Sequence, residues 1–156
     1  MTDPKLIIVE AQMLIRKPAS DVFNAFIDPS ITKNFWITKG SDILEVGKKV
    51  TWEWEMYGVS WTVSAKEIVM DKKIVLDESP APTTIEFHFK QLSEITTYVT
   101  IKQYGFDETG DELIEKIKDL TGGWTTVLDG AKIYLEHNIN PNFTADKFPK
   151  EAIDHH

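Results

Sequence analysis

The side chains of this chain best suited to chemistry are aromatic. In VTWEWEM, Val50, Trp52, Trp54 and Met56 alternate with Thr51, Glu53 and Glu55. In VSWTVSA, Val59, Trp61, Val63 and Ala65 alternate with polar residues, and TTIEFHFKQL sets Ile85, Phe87 and Phe89 opposite Glu86, His88 and Lys90. A period of two places these rings on one face of a sheet. Further on, Trp124, Val127, Leu128, Ala131, Tyr134 and Leu135 recur at helical spacing. Taken singly, each ring is an ordinary core residue. As a set they also suit a small-molecule pocket, because indole and phenol rings bury large areas while their N–H and O–H groups orient a ligand.

The ionisable residues form no comparable constellation. There is no cysteine, and the four histidines are His88, His137, His155 and His156. His88 lies on the polar side of its strand, and His137 ends a helix, where a cation suits the dipole. No HExxH, G-x-S-x-G or phosphate-loop spacing occurs; GSDILEVGKK reads as a turn. Catalytic, metal and cofactor sites are therefore not expected. Glu53 and Glu55 read as solvated. Glu67 continues the apolar parity of Trp61, Val63 and Ala65, but a strand-end bulge that turns it outward is the favoured reading over an inward acid.

These residues need elements to position them. LIIVEAQMLIRK predicts a strand over about Leu6 to Ile15. PASDVFNAFIDPSITKNFW predicts a helix with Ala19, Val22, Phe23 and Phe26 inward, split in two by Pro29. TKGSDILEVGKK reads as loop. The strands around Trp52 and Trp61 turn at Tyr57-Gly58, and KIVLDES, TTIEFHFKQL and EITTYVTIKQYGF follow, the last with Ile95, Val99 and Ile101 inward. Short linkers make an antiparallel meander with one apolar face. Thr109 to Glu112 fits a capping box, and the segment DELIEKIKDL leads to the long helix that opens at Gly122-Gly123-Trp124. The two glycines imply a bend or a close approach to the sheet there. Gly130 leaves room for a ligand or allows close packing. Asn140-Pro141 stops the helix, and Phe143 and Phe148 are positioned to fold back. One apolar sheet face covered by one long helix is an α+β arrangement.

Composition limits the partners. With 25 acidic and 17 basic residues the net charge is −8, which disfavours nucleic acid and anionic membranes. No apolar run approaches the ~20 residues of a membrane span. An acidic N-terminus unlike a signal peptide and the lack of cysteine predict a cytoplasmic, single-domain protein.

Two stretches carry a family resemblance: IRKPASDVFNAFIDPSITKNFW near the start and GGWTTVLDGAKIYLE in the last helix. In this order and separation they resemble the START-like (SRPBCC, birch-pollen-allergen-like) superfamily, within it the branch named for the activator of the heat-shock-protein-90 ATPase. The resemblance runs over about residues 8 to 138 and implies a domain at 1–138 followed by a tail at 139–156. It implies a helix-grip fold: a curved antiparallel sheet, two short helices and a long C-terminal helix enclosing a cavity. The ligand-binding residues expected there are Trp52, Trp54, Trp61, Val63, Phe87, Phe89, Val99, Trp124, Leu128, Ala131 and Tyr134. The expected ligand is a hydrophobic small molecule, aromatic or lipid-like. Two alternatives are a co-chaperone that binds a chaperone, and a cyclase- or hydrolase-like enzyme using Glu67 and Tyr134. DELIEKIKDL departs from the simplest family pattern and could form part of a lid.

Overall fold

The computed structural model describes residues 6–149 and 151; His155 and His156 lie outside them. The chain forms β1 (Ile8–Ile15), α1 (Ala19–Ile27), α2 (Pro29–Thr32), β2 (Lys39–Gly40), β3 (Lys49–Trp54), β4 (Val59–Val69), β5 (Lys73–Ser79), β6 (Thr84–Ser93), β7 (Thr96–Tyr104), α3 (Gly110–His137) and α4 (Phe143–Lys147). The seven strands make one curled antiparallel sheet in the order β1-β7-β6-β5-β4-β3-β2. Because β1 and β2 stand at opposite edges, the chain between them must cross the sheet, and α1 and α2 make that crossing. The fold is α+β and helix-grip-like. Among the described residues, no helix is long and apolar enough to cross a membrane.

The strand alternation holds where it was strongest. Trp52 pairs with Trp61, and Phe89 pairs with Val99. Val50, Trp52, Trp54, Val63, Phe87, Phe89, Val99 and Ile101 are all buried. α1 adds Phe23 and Phe26 to this layer, with Phe23 edge-on to Phe89 at 5.7 Å and Phe26 5.2 Å from Phe87.

The strand-end bulge expected at Glu67 is present, and three other local expectations change. The register of β4 against β5 shifts between Ala65 and Glu67, so Ala65 stays in the core while Glu67 turns outward to Lys73 at 3.1 Å. Ile95 falls in the β6–β7 turn and is 65% exposed; Thr97 takes the inward position and donates from its hydroxyl to the Lys17 carbonyl at 2.8 Å. The stretch after Thr38 contributes β2, whose Lys39 and Gly40 pair with Glu53 and Trp52. The long helix is continuous for 28 residues through Gly122 and Gly123, about 42 Å at 1.5 Å per residue.

The glycines of α3 thus act differently from expectation. A Cβ at Gly122 or Gly123 would meet nothing within 4 Å, so neither marks a bend or a close approach to the sheet. At Gly130 a Cβ would stand 3.0 Å from the Phe35 carbonyl oxygen. That position resolves to close packing, against the segment after α2 and not against the sheet. The helix entrance is also not a capping box. Thr109 makes no side-chain cap bond, and Gly110 enters the helix at φ +62°, in the left-handed region that favours glycine. Asn138, also left-handed, closes the other end ahead of Asn140-Pro141 by donating its N–H to the Tyr134 carbonyl at 2.7 Å.

Two polar devices fix α3 to the sheet. Along the β1 edge, the Lys132 ammonium donates to the Leu14 carbonyl at 2.9 Å and to Glu136 at 2.6 Å, while Glu136 accepts the Arg16 N–H at 2.8 Å. These contacts occupy edge groups that would otherwise be open to strand pairing. Inside, the Trp124 indole N–H donates to the side-chain oxygen of Gln103 at 2.9 Å. The Gln103 amide donates to Thr83 at 3.0 Å, and the Thr83 hydroxyl donates to Glu78 at 2.6 Å. Gln103 is 1% exposed, so this chain of bonds carries its polarity from the core to the sheet margin.

Two stability measurements follow from these contacts. Urea unfolding of Gly122→Ala should show a gain of about 0.5–1 kcal/mol, from helix propensity without a clash. Gly130→Leu should lose about 1–3 kcal/mol through overpacking. Gains or losses of the same sign in both would contradict the packing described. In Gln103→Leu, Trp124 loses its acceptor while Thr83 keeps Glu78, and the expected loss is about 1–3 kcal/mol with an unchanged m-value. A neutral result would mean that the buried chain does not anchor α3.

Candidate functional site

Trp124 occupies the boundary between the packed core and an open cavity. Its ring lies 5.8 Å from Phe87, nearly perpendicular to it, which seals the core side. On the other side the indoles of Trp36, Trp54, Trp61 and Trp124 form a cycle. Successive centroids are 5.8, 5.2, 6.2 and 5.0 Å apart, with planes tilted by 58° to 65°. Trp52, the remaining tryptophan, packs against Trp36 at 4.8 Å from below. Three elements supply the cycle. The β3–β4 hairpin brings Trp54 and Trp61 together, α3 carries Trp124, and the segment between α2 and β2 inserts Trp36.

A cavity of about 410 Å³ opens onto this cycle. Its walls are the four indoles, Tyr57 and Val59 from the hairpin, Leu120, Gly123, Thr126 and Val127 from α3, and Thr144 and Phe148 from the tail; Asp119 also borders it. Gly123 is the part of the α3 wall with no side chain. Tyr57 ties the tail in place, because its hydroxyl lies within hydrogen-bonding distance of the Thr144 and Phe148 carbonyls. Burial pushes the Tyr57 phenol above its ordinary value. From the tail, the Lys147 ammonium donates to the Thr126 hydroxyl oxygen at 3.0 Å.

The residues expected to bind a ligand divide into three groups. Trp54, Trp61 and Trp124 line the cavity. Trp52, Val63, Phe87, Phe89, Val99, Leu128 and Ala131 are buried in the packed layer between sheet and helices and do not border it. Tyr134 faces a separate cleft of about 440 Å³ beside Asp21, Asn24 and Ile31. The physical reason is α1. Its Phe23 and Phe26 fill the concave space that the sheet and α3 alone would leave open.

Some lining residues had little or no signal in the sequence. Trp36 follows Pro29 in a stretch with no sustained period, and Tyr57 belongs to a turn, whereas Val59 shares the parity of Trp61. Gln103 was detectable, since it continues the inward parity of Val99 and Ile101. The acid–base pair considered for catalysis is not assembled: Glu67 faces solvent and Tyr134 lies in the other cleft. On the outer sheet face Glu86 accepts from Tyr104 and contacts His88 at 2.7 Å. The Glu86 bond pushes the Tyr104 phenol up to about 12. Among the described residues, no group of three or more His, Asp or Glu side chains is placed to hold a metal ion.

Comparisons with known proteins agree with this architecture. Residues 16–136 match the family model described as activator of Hsp90 ATPase homolog 1-like protein. No curated protein sequence gives a significant match. Among solved structures, the chain is similar to protein SSP2350 of Staphylococcus saprophyticus, with 24% identity, a TM-score of 0.73, and coverage of 86% of this chain and 95% of that one. It is similar to the Aha1 dimer of Colwellia psychrerythraea, with 16% identity, a TM-score of 0.65, and coverage of 81% and 97%. An Hsp90 activator from Plasmodium falciparum shares 19% identity at a TM-score of 0.63, over 82% of this chain and 94% of that one. These likenesses show a common fold. The family match spans most of the chain, which therefore belongs to the activator of Hsp90 ATPase homolog 1-like family.

Proposed function

We propose that this protein binds a hydrophobic small molecule, aromatic or acyl-chain in character, in the tryptophan-lined cavity. The observation that carries the reading is the cavity itself. At about 410 Å³ it falls within the range of small-molecule sites, and its walls are mostly ring and aliphatic surface. A well-packed core lies directly behind it, so the opening is a local feature and not a general looseness of packing. Its lining sets it apart from the cleft beside Tyr134, which is bordered by Lys17, Asp21, Asn24 and Asn138. The rings are held by their neighbours before a ligand arrives, which lowers the ordering cost of binding.

The family assignment and the Plasmodium activator support a second reading, docking onto a chaperone. The cavity favours the first. A protein-docking face needs exposed breadth, whereas Trp36, Trp54 and Trp124 are buried.

Gly123→Leu tests the proposal, because its side chain would enter open space from the α3 wall. The neutral fluorophore N-phenyl-1-naphthylamine should bind the wild-type protein saturably and quench its tryptophan emission. Gly123→Leu should keep the fold and lose most of that binding, by about tenfold or more. Absence of saturable binding by aromatic and acyl-chain probes to the wild type would overturn the proposal, as would full binding by a folded Gly123→Leu.

A further inference from the structure

We propose that the cavity selects an organic cation, an alkylated ammonium carried on an apolar or aromatic group. The inference rests on the small-molecule reading above and specifies the charge of the ligand. It starts from the asymmetry of the lining. The residues that border the cavity include one carboxylate, Asp119, and no lysine, arginine or histidine. Among the described residues Asp119 makes no ion pair. It stands at the exposed margin of α3, where it keeps its hydration until a cation reaches the opening.

The aromatic wall has matching chemistry. Indole is the side chain whose face attracts cations most strongly, and several rings around one space attract a quaternary ammonium together. Here the four indoles are tilted by about 60° in succession, so their faces point in different directions. Tyr57 adds a fifth ring. An ammonium bearing methyl groups suits such a wall better than a bare one, since it is weakly hydrated and presents apolar surface. The net charge of −8 adds a long-range attraction for cations.

Lys147 supplies the opposing consideration. Its ammonium reaches the cavity wall at Thr126 from the tail, 3.0 Å from the hydroxyl oxygen. It does not border the cavity, and its ammonium is engaged by the Thr126 hydroxyl. A carboxylate ligand would have to draw Lys147 away from Thr126 and accept the field of Asp119. The geometry therefore favours the cation over an anion.

Three probes of similar shape separate the possibilities: benzyltrimethylammonium, its neutral isostere neopentylbenzene, and phenylacetate as the anion. Each competes against N-phenyl-1-naphthylamine bound to the wild-type protein at low salt. The expected order places benzyltrimethylammonium about fivefold to tenfold ahead of neopentylbenzene, with phenylacetate weakest. Added salt and Asp119→Asn should each narrow the gap between cation and neutral probe, by about twofold to fivefold. Equal or tighter binding of neopentylbenzene would overturn the cation inference and leave the small-molecule reading intact. Tightest binding by phenylacetate would do the same and assign the polar end to Lys147. Failure of the naphthylamine and all three probes to bind would overturn both readings.

Discussion

The hydrogen bond from Trp124 to Gln103 is the constraint on which the rest of the site depends. A buried amide that lacks a partner costs about 1–3 kcal/mol, so Gln103 must be met from above, and Trp124 on α3 is the residue that meets it. The bond fixes the height and rotation of α3 over β7. With that rotation set, Val127, Leu128 and Ala131 turn into the core, Gly130 comes against Phe35, and Gly123 is left beside open space. Thr83 and Glu78 then carry the polarity outward, so no fully buried side-chain nitrogen or oxygen among the described residues lacks a partner.

The cavity lies beside the core and not within it. α1 occupies the centre of the concave sheet face with Phe23 and Phe26, and the remaining space is displaced toward the β3–β4 hairpin and the middle of α3. There the tail supplies a wall. Thr144 and Phe148 lie beyond the residues matched by the family model, which ends at 136. Tyr57 and Lys147 hold that wall to the hairpin and to α3 through three polar contacts. The shape of the opening is thus set partly by residues outside the family match, while the indole cycle within it comes from matched positions.

Much of this was readable in the sequence. Alternation is a strong signal when one sheet face is buried: Trp52, Trp54, Phe87, Phe89 and Val99 are buried as their parity requires, and Trp61 is partly buried against them. Parity alone cannot place an inserted residue, and the strand-end bulge weighed at Glu67 is located by the register shift after Ala65. Propensity misled at Gly122 and Gly123. The penalty is about 1 kcal/mol per glycine, small against the burial of Trp124, Val127 and Leu128, and the helix runs through. Facing inward also proved different from lining a cavity. Which inward residues meet open space depends on what α1 and the segment carrying Trp36 fill, and those are tertiary facts with no local period.

The most direct measurement is a nitrogen–proton NMR titration of the five tryptophan indole groups with a bound aromatic ligand. The account predicts that the indole signals of Trp36, Trp54, Trp61 and Trp124 move together and saturate at one dissociation constant, with Trp52 moving least because it lies behind the cycle. Saturable binding that leaves these four signals in place, while moving His88 and Tyr98 in the outer-face groove, would contradict it.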